Sequence, residues 1–457
     1  MLSIVVASLL MSAAAEPKKP GVLWTFPVKS HSFGSAAYAV IDNEPVVAFA
    51  TYFGDASVHV LRAKDGKELW SYHDPDLKRD DCYDASLKFA DMNGDGKLDL
   101  IVPCSSGCRV LCFEAATGHI QWNTYLGDGE CIDTPPWIGD CDGSGKASIV
   151  VGTFKSRLYV LRGSDGSIAR SLTVAEGGAV QSCPVVVDLN YDGVSDFVAT
   201  IFSRDKKQCG VYAVNGKDGS RMWRLPVGDS IYHGPAIGTL PGPNGKPGTR
   251  LVTTCYDGHI RAINMEGSSR WDVVSGERYI MSPVTLAMLE GDITPAVITA
   301  CEQIVVIDGG GEVRWRKPVA PKGRAYESVS RGVAVADMDG DGVPDLAYLT
   351  SHGLFRVLSA KGEVIYEFDA GSLLGEGHTA SDCSHGPILV DLDGDGRLDA
   401  FFVIGGGGEA LAGGKHAERY GLAVALTGFG GKATPTNAWT MMRHDLGNTG
   451  NTATPVK

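Results

Sequence analysis

Alternating apolar and polar residues recur along the chain in short runs, each closed by Gly, Asp, Asn or Pro. A period of two between turn residues is the pattern of a half-buried β-strand. The runs pair into a repeated hairpin: an alternating strand, a Gly-containing turn, then a strand carrying an aromatic. It runs from Val58 to Trp70, Val110 to Trp122, Val211 to Trp223, Ile260 to Trp271, Val305 to Trp315 and Phe355 to Tyr366. From Leu158 to Arg170 the pattern holds with the aromatic lost, and from Leu422 to Trp439 with a stretched turn. A further strand around Trp24 stands alone before the first hairpin. From Trp24 to Tyr366 the equivalent positions recur roughly every 49 residues, a period that marks a repeat architecture. Each period has room for four short strands, which predicts an all-β fold, a β-propeller of four-stranded antiparallel blades. Eight blades are expected, with seven and an irregular tail as the alternative. The Trp24 strand then supplies the outer strand of the last blade, closing the ring and covering a free edge.

In register with the hairpins runs a nine-residue acidic loop, present at 91–99, 188–196, 337–345 and 391–399 and followed each time by an apolar run. Oxygen-bearing side chains occupy positions 1, 3, 5 and 9, a backbone carbonyl is available at 7, and position 6 is Gly. That donor set suits a hard cation such as calcium, and the Gly allows the sharp turn that gathers the oxygens. The plain alternative is a solvated Asp/Gly turn, which four copies of one spacing make a poor explanation. An EF-hand would follow its loop with a helix; here Val, Ile, Leu and Phe follow. A fifth loop, 140–148, has Ser144 and Ser148 in place of two carboxylates, so its affinity is expected to be weak at best.

Composition changes this picture little. The chain has 457 residues, is 44% hydrophobic and 21% charged, and carries a formal net charge of -13, which fits a packed globular body and not a disordered one. Fourteen Asp lie in the four loops, so about four calcium ions would offset much of the acidity. The remaining negative surface argues against nucleic acid as a partner. Residues 1–15 form a short apolar stretch ending in an Ala-x-Ala site, the pattern of a cleaved signal peptide, too short to span a membrane comfortably. The expectation is a single propeller domain over 16–457, exported to the periplasm, the cell surface or the medium, monomeric and without membrane insertion. Eleven Cys fit an oxidising compartment, and disulfides between loops are expected, with pairing left open.

The acidic loop between two strands resembles the FG-GAP/VCBS repeat of integrin α-chain-type propellers, and the Gly-x-x-x-Trp hairpin resembles the repeat of PQQ-like quinoprotein propellers. The closing segment from Trp439 to Gly450 is similar to the C-terminal seal of secreted bacterial proteins that combine both. The resemblance implies calcium ligands Asp91, Asn93, Asp95, Lys97 (carbonyl) and Asp99; Asp188, Asn190, Asp192, Val194 (carbonyl) and Asp196. It likewise implies Asp337, Asp339, Asp341, Val343 (carbonyl) and Asp345, and Asp391, Asp393, Asp395, Arg397 (carbonyl) and Asp399. Quinoprotein dehydrogenases carry a Cys-Cys dipeptide beside their cofactor, and this chain has none, so PQQ-type oxidoreductase activity is the least favoured reading.

Four-stranded blades place the acidic loops and Gly turns on one face. The other face collects the segments entering each blade, which carry His31, Asp84, Asp133, His233, Arg331 and His385, together with a Gly-rich insertion at 405–421 that could act as a flap. There His31, His233, Arg331 and His385 are the candidate ligand-binding residues. Two functions follow. One is a non-catalytic binding or scaffold module for an extracellular glycan or protein. The other is a carbohydrate-active enzyme of the polysaccharide-lyase kind, for which His233 and His385 are candidate bases and Arg331 the candidate cation. No nucleophile elbow, zinc-protease motif or phosphate loop is present, and binding is the favoured reading.

Overall fold

The computed structural model describes residues 16–74, 82–242, 245–324, 326–381, 383–411, 416–433 and 440–441. Eight four-stranded antiparallel sheets follow one another along the chain, over 37–73, 88–125, 137–173, 185–226, 236–274, 285–318, 334–369 and 388–427. The eighth takes its outermost strand from the N-terminus: Gly21–Val28 pairs antiparallel with Tyr420–Thr427, from Gly21 opposite Thr427 to Val28 opposite Gly421. The eight-bladed propeller and its N-terminal closing strand are as the repeat predicts, and the seven-blade alternative falls away. The eighth hairpin differs from expectation. Leu422 lies in the third strand, and the fourth is the Trp24 strand instead of a segment leading to Trp439, which lies outside the described residues. The signal stretch 1–15 and the closing segment from 442 onward also lie outside them.

Burial follows the radial position of each strand. The second strands, such as Ser148–Gly152 and Asp196–Ile201, are buried along their whole length on both faces. The outermost strands, such as Glu68–His73, alternate between half-buried and exposed positions. Innermost strands are mostly three residues long, as in Lys88–Ala90 and Val185–Val187, because the blades crowd toward the axis.

One repeated contact explains the hairpin signature. Each outer-strand aromatic hydrogen-bonds not within its own blade but to the Gly turn of the next. The indole N–H groups of Trp24, Trp70, Trp122, Trp223, Trp271 and Trp315 donate to the carbonyls of Ala63, Ala115, Gly163, Met265, Gly309 and Ala360 at 2.6–3.2 Å. In the third blade Arg170, standing where the aromatic is lost, donates its guanidinium to the carbonyl of Gly216. In the seventh, the Tyr366 hydroxyl accepts from the amide of Gly430 at 3.2 Å. All eight seams are therefore bonded. The turn glycine must be Gly for two reasons, shown by Gly118: its φ is +73°, and a Cβ there would lie 2.7 Å from the Trp70 ring.

None of the eleven cysteines is disulfide-bonded, contrary to the expected loop staples. Ten are buried in blade interiors or under loops, so they behave as small apolar side chains. Within 405–421, Gly405 and Gly406 extend the strand Asp399–Gly406 and Tyr420 opens the next. The amide of Ala417 also donates to Glu409 O at 3.0 Å, so the described part continues the hairpin.

Candidate functional site

The acidic loops join first and second strands on one face of the ring. Their backbones repeat one hydrogen-bond scheme. In 391–399, the Asp391 carboxylate accepts from the amides of Gly394 and Gly396 at 2.7 and 2.9 Å. Asp393 accepts from Asp395 N at 3.1 Å, Asp395 from Arg397 N at 2.7 Å, and Asp399 from Leu392 N at 3.0 Å. Loops 91–99 and 337–345 repeat the set bond for bond. In 188–196 Tyr191 stands where the others have Gly, at a φ of +61°, and Asp188 takes the amide of Asp192 instead. These bonds aim the remaining carboxylate oxygens inward. Oxygens of Asp337, Asp339 and Asp345, and of Asp391, Asp393 and Asp395, lie within 4.8 Å of one another. That separation is about twice a calcium–oxygen bond, so one ion could touch all three. Burial and then the neighbouring loop carboxylates push Asp345 up to about 7 and Asp399 up to about 6. The loop 140–148 keeps the Asp140 cradle, with Gly145 N at 2.7 Å, but the buried ninth position is Ser148, which brings no charge.

On the opposite face, the blade-entering segments converge on Arg331. Its guanidinium donates through Nε to the Ser384 carbonyl at 3.2 Å and through one terminal nitrogen to Asp84 Oδ1 at 3.2 Å. The other terminal nitrogen lies 3.4 Å from His233 Nε2. The rings of Phe33 and Tyr232 lie 5.6 and 5.4 Å from its Cζ. Asp84 is hydrogen-bonded to Asp133, which in turn accepts from Ser105 Oγ and from Gln181 Nε2 at 3.2 Å. Blades one, two, three, four, five, seven and eight thus each contribute a group to one cluster. Two carboxyls face one guanidinium there. Burial, followed by the Asp133 charge, pushes Asp84 up to about 7, and burial raises Asp133 as well. The pair therefore holds a proton near neutrality.

Three of the four predicted ligand residues touch this cluster or its edge. His233 contacts Arg331; His385 feels the Arg331 charge and, buried, is held at about 3; His31 packs edge-on to Phe33 at 4.8 Å and is held at about 4 by burial and then Arg419. All four are closely buried, with exposures of 1–7%. They share one region of the molecule, but their side chains face one another more than solvent.

Two cavities open on this face over blades seven and eight. A cavity of about 340 Å³ is lined by Arg324, Tyr326, Glu327, His352, Asp369 and His378 among others, and a second of about 410 Å³ by His378, Glu409, Glu418, Arg419 and Tyr420. They meet at His378, whose ring packs against Tyr420 at 4.1 Å. Beneath them the buried Glu327 carboxylate pairs with Arg324 at 2.7 Å and His352 at 3.2 Å. Tyr326 is 61% exposed at the rim. No motif marks these residues in the sequence. The available signal was the length of the segment 370–387 entering blade eight, well beyond that of 227–235 entering blade five.

No protein-family model matches the chain, and no curated protein matches it in sequence. Solved structures do match it in fold. The quinohemoprotein alcohol dehydrogenase from Comamonas testosteroni superposes with a TM-score of 0.61 at 13% identity, over 91% of this chain and 77% of that one. The quinohemoprotein alcohol dehydrogenase ADHIIG from Pseudomonas putida HK5 gives 0.56 at 14%, over 92% and 78%. The V. cholerae biofilm matrix protein Bap1 gives 0.50 at 13%, over 93% and 94%. At such identities the likeness shows the propeller fold alone. The likeness to quinoprotein-type propellers thus stands at the level of fold, while the FG-GAP/VCBS reading rests on the loops themselves.

Proposed function

We propose that the protein is an exported, calcium-stabilised propeller that binds an extracellular glycan or protein on the face opposite its acidic loops. The observation that carries the reading is the shared loop geometry, with three carboxylate oxygens gathered within 4.8 Å in each of two loops. The ligands would be those of the four loops, side chains at positions 1, 3, 5 and 9 and the carbonyl at 7. A bound cation would neutralise the gathered carboxylates and pin the first two strands of its blade.

Binding is favoured over lyase chemistry by the state of the candidate catalytic groups. Arg331 is already paired with Asp84 and buried, so it has little charge to offer a uronate. His385 is 2% exposed, and a base must reach its proton. The exposed chemistry lies instead in the cleft of Tyr326, His352, His378 and Tyr420. A ring face beside paired acids and cations suits hydroxyl-rich or peptide surfaces.

Two measurements test this. Metal analysis of protein purified in calcium-containing buffer should find about four calcium ions per chain, and a metal-free protein overturns the first half. Glycan-array and protein-interaction binding should depend on Tyr326 and His378; release of unsaturated sugar from a uronate polymer would turn the second half toward an enzyme.

A further inference from the structure

We propose that Cys108 and Cys131 are a dithiol site that closes to a disulfide under oxidising conditions, clamping blade two to the segment entering blade three. Their sulfurs lie 3.8 Å apart. Cys108 is the last residue of the turn between Asp99–Cys104 and Arg109–Glu114, at a φ of +52°, and Cys131 lies in the connection that follows Ile120–Tyr125.

The two segments are already held together without the bond. The amide of Ile132 donates to Ser105 O at 3.2 Å, Ser105 Oγ donates to Ile132 O at 3.2 Å and to Asp133, and the amide of Leu126 donates to Cys108 O at 2.8 Å. Closing to a bonded separation of about 2.0 Å needs an approach of roughly 1.8 Å, within reach of side-chain rotation and a small loop shift. Accessibility supplies the second argument. Cys131 is the one cysteine of the eleven that is not buried, so it is where an external oxidant can attack.

The chemistry is thiol–disulfide exchange with a small-molecule disulfide. The Cys131 thiolate attacks one sulfur of oxidised glutathione, forming a mixed disulfide and releasing one glutathione thiolate. The Cys108 thiolate then attacks the Cys131 sulfur and releases the second. Two protein thiols are oxidised, one glutathione disulfide is reduced, and the two protons lost by the protein thiols are taken up, through solvent, by the two released glutathione thiolates. Burial and then the Cys108 neighbour push the Cys131 thiol up to about 11, so exchange at neutral pH is slow. The position matters because Asp133, two residues on, is hydrogen-bonded to Asp84 beside Arg331. The bond would fix the loop that carries it.

The folded protein is incubated with oxidised glutathione at about pH 8.5, quenched with acid, unfolded, alkylated and mapped by fragmenting mass spectrometry without reduction. Alkylatable thiols should fall from eleven to nine, with Cys108 linked to Cys131, and reductant should restore eleven. Cys108→Ser should stop at a glutathione adduct on Cys131, and Cys131→Ser should keep every remaining thiol. Eleven persisting thiols, a stable glutathione adduct on wild-type Cys131, or a link between any other pair overturns the proposal. The wild-type map decides the matter even where a variant folds poorly.

Discussion

The indole N–H of Trp24 donates to the carbonyl of Ala63 at 2.6 Å, joining the outermost strand of blade eight to the turn of blade one. The same ring lies 2.5 Å from where Gly66 would carry a Cβ and 5.7 Å from Phe401 in its own blade. This seam closes the circle, and it is backed by Lys18, which exchanges backbone bonds with Ile365 and Glu367 of blade seven. Trp24→Ala should destabilise the fold by about 3–5 kcal/mol, the usual loss for a buried aromatic. Deleting 16–28 should leave the edge of Tyr420–Thr427 open to association. Light scattering and thermal melts check both; a truncated protein that stays monomeric at native stability would remove the N-terminal strand as the clasp.

Steric and conformational roles of turn glycines can be separated. Gly118→Ala meets both a φ of +73° and the Trp70 ring at 2.7 Å, whereas Gly276→Ala meets a φ of +92° with nothing within 4 Å. The second change should cost about 1 kcal/mol, the ordinary penalty for a left-handed Ala. The first should cost about 2–4 kcal/mol once the clash is added. Equal losses in denaturant melts would mean the seam yields freely.

Much of this architecture was legible because a propeller writes its period into the chain. The spacing from Trp24 to Tyr366 was enough for blade number and for N-terminal closure. What the Trp residues do was not, since each bonds to a turn in the following blade, 38–45 residues away. Arg170 read as a lost aromatic, yet it keeps the donor to the Gly216 carbonyl. The entry segments were correctly grouped on one face, but spacing cannot show that Arg331 and Asp84, 247 positions apart, neutralise each other. The cleft around His378 escaped because its residues share no motif, only a long connection.

Calcium removal should be felt as lost stability. A ligand bound to the native state alone adds RT ln(1 + [L]/Kd), about 2.7 kcal/mol per site at a hundredfold excess. Excess chelator should lower the melting temperature substantially, and added calcium should restore it. Asp395→Ala should lower the bound calcium by one ion and weaken blade eight selectively, read by hydrogen exchange in Asp399–Gly406. An unchanged melt in chelator would make the loops hydrogen-bonded turns and no more.

The Asp84–Asp133 pair should leave a mark on the pH dependence of stability. Asp84 is raised to about 7 in the folded protein by burial and then by Asp133, with Arg331 opposing. Between the ordinary carboxylate range and about pH 7 the folded state binds more protons than the unfolded state, so this contribution is present at low pH and lost as pH rises through 7. Other raised acids such as Glu277, and the depressed His31 and His385, titrate too, so the informative quantity is a difference. Relative to Asp84→Asn, the wild type should lose stability as pH rises from about 4 to about 7 and lose no more above that, in denaturant melts at constant salt and saturating calcium. Parallel curves for the two proteins would show that the pair holds no extra proton.

Ligand binding should depend on the cleft and not on the axial histidines directly. Tyr326 is 61% exposed and His378 lies where the two cavities meet, so Tyr326→Ala with His378→Ala removes contact surface while leaving the core intact. Such surface changes usually alter stability by less than about 0.5 kcal/mol each. His233 and His385 are 4% and 2% exposed, and His233 sits against Arg331. Changing both to Ala should lower the melting temperature and weaken binding only as far as the face is disturbed. The sequence expectation, that His31, His233, Arg331 and His385 bind the ligand, predicts the reverse order. Binding of an array-identified glycan or a purified protein partner, measured alongside melting temperature and calcium content for both double variants, separates the two. Loss of binding in the His233/His385 variant at native stability, with the Tyr326/His378 variant unaffected, would return the site to the blade-entering histidines around Arg331. Loss confined to the Tyr326/His378 variant places recognition across blades seven and eight, with the Arg331 cluster acting as the bolt that holds that face in shape.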